Sequence, residues 1–107
     1  MLKQDYIERM IAQIAEAIGR VLGLARSGRS EEAQREIDAA WAGVIGLRRA
    51  DLERLDDATL RALVGAKAEA AAALLDAEAT VREAASDAAA ATRLRTLAAG
   101  LRTTRRP

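Results

Sequence analysis

The only proline in the chain is its last residue, Pro107. Nothing before it carries the locked ring and missing N–H that would end a helix. Ala fills 27 positions, and Leu, Arg and Glu supply much of the rest. These are the strongest helix formers. β-branched residues are few and never alternate with polar ones, so the strand signal is nearly absent. The expectation is an all-α chain.

Glycines and short polar residues punctuate that helical background. From Asp5 to about Ala25, Ile7, Met10, Ile11, Ile14, Ile18, Val21, Leu22 and Ala25 recur at steps of three and four. Such spacing makes one apolar stripe of an amphipathic helix. Ser27-Gly28-Arg29 breaks it, with Gly28 suited to a left-handed turn. Ser30 is the expected N-cap of a second helix over about Glu31–Ile45, with a stripe of Ala33, Ile37, Ala40, Trp41 and Val44. Gly46 stops it. Residues 47–56 read as a linker, tucked down by Leu47, Leu52 and Leu55. Asp56 or Asp57 caps a short helix over about Ala58–Val64, showing Leu60, Leu63 and Val64, with Gly65 after it. A fourth helix, about Ala66–Ala84, presents Ala70, Ala73, Leu74, Ala77, Val81 and Ala84. A fifth, about Asp87–Ala99, presents Ala90, Leu94, Leu97, Ala98 and Leu101, capped by Ser86 or Asp87. The expected architecture is antiparallel helical hairpins, four longer helices and one short one. Residues 1–101 form a single helical domain and 102–107 a disordered basic tail.

The helix pairs carry a resemblance. Gly28, Ala33, Ile37 and Ala40 have the small–large–small spacing of a tetratricopeptide repeat, with a weaker echo at Ala90, Leu94 and Leu97. Small residues let helix backbones approach while one bulky residue fills the gap. The opening Gln4-Asp5-Tyr6-Ile7-Glu8-Arg9-Met10-Ile11, with residues 30–47, resembles a family of small bacterial helical proteins of unknown function. That family has no assigned activity, so the resemblance implies a TPR-like helical fold and no catalytic residue.

Composition excludes much chemistry. The chain has no His and no Cys, hence no imidazole base, thiol nucleophile, disulfide or ordinary zinc site. No constellation joins a base, a nucleophile and an electrophilic site, so no enzyme and no cofactor are expected. The adjacent acids Glu31-Glu32 and Asp56-Asp57 stand where helices begin, and the dipole and capping account for them. No metal is expected there. No apolar run is long enough to cross a membrane. The start lacks a secretory pattern, so a cytoplasmic protein is expected.

Net charge is +1, but residues 31–57 carry four bases and eight acids while residues 91–107 carry five bases and no acid. The basic end gives an alternative reading, a nucleic-acid-associated regulator. No aromatic platform or phosphate loop accompanies it, so nucleic acid is the weaker partner. The preferred reading is a small protein-interaction or scaffold module that self-associates, with the surface between hairpins open to a protein or peptide. The first-helix stripe is richer in bulk than the other helices, which points to a homodimer. Tyr6, Met10, Ile14, Ile18 and Trp41 are the candidate interaction residues. Ala15, Gly19 and Gly23, four residues apart, mark a close helix crossing, within the chain or with a second subunit. Such seams are expected to leave no pocket suited to turnover.

Overall fold

The computed structural model describes the backbone of residues 2–102 and the side chains of residues 5–102. Five α-helices run in order: α1 (Leu2–Arg26), α2 (Ser30–Ala40), α3 (Asp57–Val64), α4 (Ala68–Ala84) and α5 (Ala88–Arg102). No strand occurs among the described residues, so the chain is all-α. At 1.5 Å per residue α1 is about 37 Å long. It sets the long dimension of a body measuring 40 × 27 × 21 Å.

The ends of the helices follow local chemistry. Gly28 takes φ +77°. Arg29 N–H then bonds Leu24 O at 2.9 Å and Gly28 N–H bonds Ala25 O at 3.1 Å. This is the paired closure of a Schellman turn. The same closure ends α4: Asp87 N–H reaches Arg82 O at 2.8 Å, and Ser86 N–H reaches Glu83 O at 3.0 Å. There the left-handed residue is Ser86, at φ +67°. Asp87 then caps α5, its Oδ1 accepting from Ala90 N–H at 3.1 Å. Across these turns α1 packs on α2, and α4 packs on α5.

Two boundaries differ from expectation. Ser30 does not cap α2; it is already helical, and the preceding Arg29 offers no side-chain cap. The second helix also stops being α-helical at Ala40. Trp41–Ile45 form one wide turn in which Gly46 N–H bonds Trp41 O at 2.7 Å. Lys67 caps this opened end, its Nζ donating to Val44 O and Ile45 O at 3.2 Å each. Such a cation suits the negative end of a helix. The linker is ordered too: Arg49–Arg54 coil into a 3-10 helix, with Leu52 buried and Leu47 and Leu55 against the core. Gly65–Lys67 form a second 3-10 turn in place of the first residues expected of α4.

The core is built around α4, which touches α1, α2, α3 and α5. One stripe was expected on this helix. Ala84 is exposed and Ala73 only half-buried, while Ala71, Ala72, Leu75 and Ala79 join Ala70, Leu74, Ala77 and Val81 in the interior. Alanines on every side are what a helix with several close neighbours requires, because each methyl permits a short axis-to-axis distance. α1 buries the narrower set Met10, Ile14, Ala17, Val21 and Ala25. Leu63, expected inside, is exposed on α3 beside buried Leu60 and Val64.

Candidate interaction surfaces

Three of the five candidate interaction residues are core residues. Met10 and Ile14 are each 3% exposed and Trp41 is fully enclosed. α2 and α4 cover that side of α1, so the chain itself satisfies the apolar stripe and these three offer nothing to a partner. The indole Nε1 of Trp41 has no hydrogen-bond partner among the described residues. Ile18 is half-buried against the core. Tyr6 is 49% exposed, and its ring lies 5.9 Å from Lys67 Nζ, within cation–π range.

The small-residue row of α1 does not make an internal crossing. Ala15 and Gly19 are exposed and Gly23 is half-buried. A methyl group added at Gly19 or Gly23 would meet nothing within 4 Å. Gly19 and Gly23 line an open groove whose other wall is Glu32, Arg35 and Glu36 of α2. Ala15 lies on open surface, and Ile11, just beside the row, is 54% exposed.

A cleft does form between the 3-10 segment, α3, α4 and α5, contrary to the expectation of seams alone. It encloses about 500 Å³, within the range of sites that take part of a peptide or a small molecule. Its walls are leucines, among them Leu52, Leu55, Leu60, Leu94 and Leu97. Ionisable groups reach it from each side: Arg49, Glu53, Asp57, Glu78, Arg82, Asp87 and Arg93.

Most of those groups are already engaged. Glu78, 2% exposed, accepts two bonds from Arg49: Nε to Oε1 at 2.7 Å and Nη2 to Oε2 at 2.9 Å. Glu53 stands 3.8 Å from the same guanidinium. Asp87 caps α5, and Arg82 donates to Gln34. These groups tie elements together; with Asp57 and Arg93 the lining carries three guanidiniums and four carboxylates, a formal net charge of −1. Arg93, in contrast, is exposed at the rim, and no carboxylate of the described residues pairs with it.

The basic end is partly neutralised within the fold. Arg95 grips Glu83 with two bonds, of 2.7 and 2.8 Å. Glu83 is thereby held below the usual carboxylate range and Arg95 is raised. Arg102 belongs to α5 rather than to a tail; it binds Asp76 at 2.7 Å and Glu69 at 3.0 Å, and these carboxylates raise its pKa. The remaining tail, with Arg105 and Arg106, lies outside the described residues. Of the acid pairs, Asp56 caps α3 by accepting Thr59 N–H at 2.7 Å, which lowers its pKa. Glu31 and Glu32 occupy the first turn of α2. Among the described residues no group of three acids gathers as a metal site, and no helix is long and apolar enough to cross a membrane.

No protein-family model matches this chain, and no curated protein or solved structure is detectably similar to it.

Proposed function

We propose that the protein is a small interaction or scaffold module of the cytoplasm, built on two TPR-like hairpins, α1–α2 and α4–α5, with a docking cleft where the 3-10 segment and α3 meet α4 and α5. The occupant is an amphipathic segment of another protein, apolar on one side and carrying a carboxylate. The observation that supports this reading is the combination at one place of leucine walls and an uncommitted guanidinium, Arg93. Leu97 is half-buried at that wall. Apolar contact would supply the affinity and the arginine the orientation, a common division in peptide grooves. The carboxylates in the cleft hold helices and guanidiniums, so they favour binding over turnover.

A peptide-display selection tests the reading. The wild-type protein is expected to enrich segments that pair bulky apolar residues with Asp or Glu. Arg93→Glu should lose those sequences and enrich ones with Lys or Arg, while its melting temperature stays unchanged because Arg93 is exposed. Leu97→Asp should weaken both at least tenfold, equivalent to about 1.4 kcal/mol. Failure of the wild type to enrich any common pattern would overturn the proposal. So would the same sequences emerging from wild type and Arg93→Glu.

A further inference from the structure

Two charged side chains at the docking cleft form no ion pair within the fold. Asp56 caps α3 through Thr59 N–H, and the acid beside it, Asp57, is left over. Asp57 is exposed and lines the cleft. It pairs with no base among the described residues, not even with Arg61 one turn along its own helix. Arg93 stands in the same condition on α5. The other ionisable groups of the lining have partners: Glu78 and Arg49 hold each other, and Glu53 stands beside that same guanidinium. Arg82 donates to Gln34, and Asp87 caps α5.

The two free charges come from different walls. Asp57 opens α3, and Arg93 lies in the second turn of α5. The same walls carry Leu60 on α3 and Leu94 and Leu97 on α5. A segment that lays its apolar side on those leucines presents one edge to α3 and the other to α5. A base on the first edge and a carboxylate on the second each meet a charge of opposite sign. Turned end for end, the same segment sets base against Arg93 and acid against Asp57, and like-charge contact opposes docking. The free pair therefore selects the direction in which a segment lies.

We infer that the occupant of the docking cleft, on which this pairing rests, is a dipolar amphipathic segment. Its carboxylate meets Arg93, and a Lys or Arg on its opposite edge meets Asp57. The net negative charge of the lining favours a partner that carries this base over one that carries acid alone. Exposed ion pairs contribute little affinity each. Asp57 and Arg93 therefore set the partner's direction and charge pattern, while the leucines hold it.

A displayed peptide library, selected on wild type and on Asp57→Asn, separates this pairing from the cleft itself. Wild type is expected to enrich segments with a Lys or Arg at a fixed spacing from the Asp or Glu. Asp57→Asn should keep the preference for the acid and lose that for the base. The leading wild-type peptide is then synthesised as selected, with its base replaced by norleucine, and with base and acid exchanged. Loss of the base should weaken binding to wild type about threefold, as for one exposed ion pair, and leave binding to Asp57→Asn unchanged. The exchange should weaken binding to wild type about tenfold, because both contacts become repulsive. Acidic apolar sequences with no recurring base would overturn the pairing and leave the cleft standing. So would equal losses on norleucine replacement in wild type and Asp57→Asn. Enrichment of no common pattern by wild type would overturn the docking cleft, and the pairing with it.

Discussion

Arg49 reaches across the cleft floor to Glu78 and binds both of its carboxylate oxygens, at 2.7 and 2.9 Å. The two side chains are only 12% and 3% exposed. One belongs to the 3-10 segment and the other to the central helix, so the pair fastens the irregular stretch between α2 and α3 to α4. Removing one partner leaves the other as an uncompensated charge in a dry place, which typically costs 3–5 kcal/mol. Glu78→Ala and Arg49→Ala should each lose about that much stability in urea unfolding. The apolar double replacement Glu78→Leu with Arg49→Met should recover most of it. Equal and additive losses from the two single variants would show that the pair is not coupled.

Ser86 closes the α4–α5 turn in the left-handed region, φ +67°, where its Cβ is crowded. Gly28 does the same task at α1–α2 without that crowding. Ser86→Gly should therefore stabilise the fold by about 1 kcal/mol. For a domain of this size that is a rise of about 5 °C in melting temperature. An unchanged or lowered midpoint would mean that the serine conformation carries no strain.

Trp41 is the largest fully buried side chain, yet its indole N–H is unpartnered. Trp41→Ala should cost about 3–5 kcal/mol through the void it opens. Trp41→Phe loses volume but also removes the orphan donor, whose burial costs about 1–3 kcal/mol. The two effects oppose one another, and the variant should fall within about 1 kcal/mol of wild type by urea unfolding. A Trp41→Phe loss as large as that of Trp41→Ala would show that the N–H is satisfied.

Two carboxylates link stability to acid. The Thr59 backbone N–H, with the Thr59 hydroxyl, lowers the Asp56 pKa, and the Arg95 guanidinium lowers that of Glu83. A folded pKa below the unfolded one, near 4 for such groups, gives stability that is present above the unfolded value and lost as pH falls through the folded one. The melting temperature should hold from neutrality to about pH 5 and then decline as the pH drops below about 4. Asp56→Asn keeps an acceptor at the cap without the titration, and Glu83→Gln removes the second site. Together they should flatten the acid decline. A decline of unchanged steepness would assign acid sensitivity to other groups.

Local chemistry is what the sequence displays well. Gly28 and Gly46 each close a helix at positive φ, and Asp56 caps α3 as its place before an apolar run implies. Pairings set by distant segments are not visible in this way. Glu78 reads as one polar residue in an alanine-rich helix until the fold brings Arg49 to it. The cleft has the same origin, since its walls come from segments that only packing brings together. The burial of α4 on several sides did have a signal in the run Ala70-Ala71-Ala72-Ala73, whose uniform small size suits more than one face. The wide turn at Trp41–Ile45 and the strained Ser86 have no signal in residue type. The echo between the two helix pairs is also out of step: Ala33 follows Arg29 by four residues, and Ala90 follows Asp87 by three. Burial, finally, divided the first helix differently from its apolar spacing. Met10 and Ile14 went inward, and Ile11, Ala15 and Gly19 were left on the outside.

Calorimetric titration of one amphipathic peptide carrying a single carboxylate into the wild type and into Arg93→Glu tests the docking cleft itself. Arg93 stands exposed at the rim of that cleft. The wild type should bind the peptide, and Arg93→Glu should bind it at least tenfold more weakly, equivalent to about 1.4 kcal/mol. Equal affinity in the two proteins, or no binding to the wild type, would contradict the docking cleft.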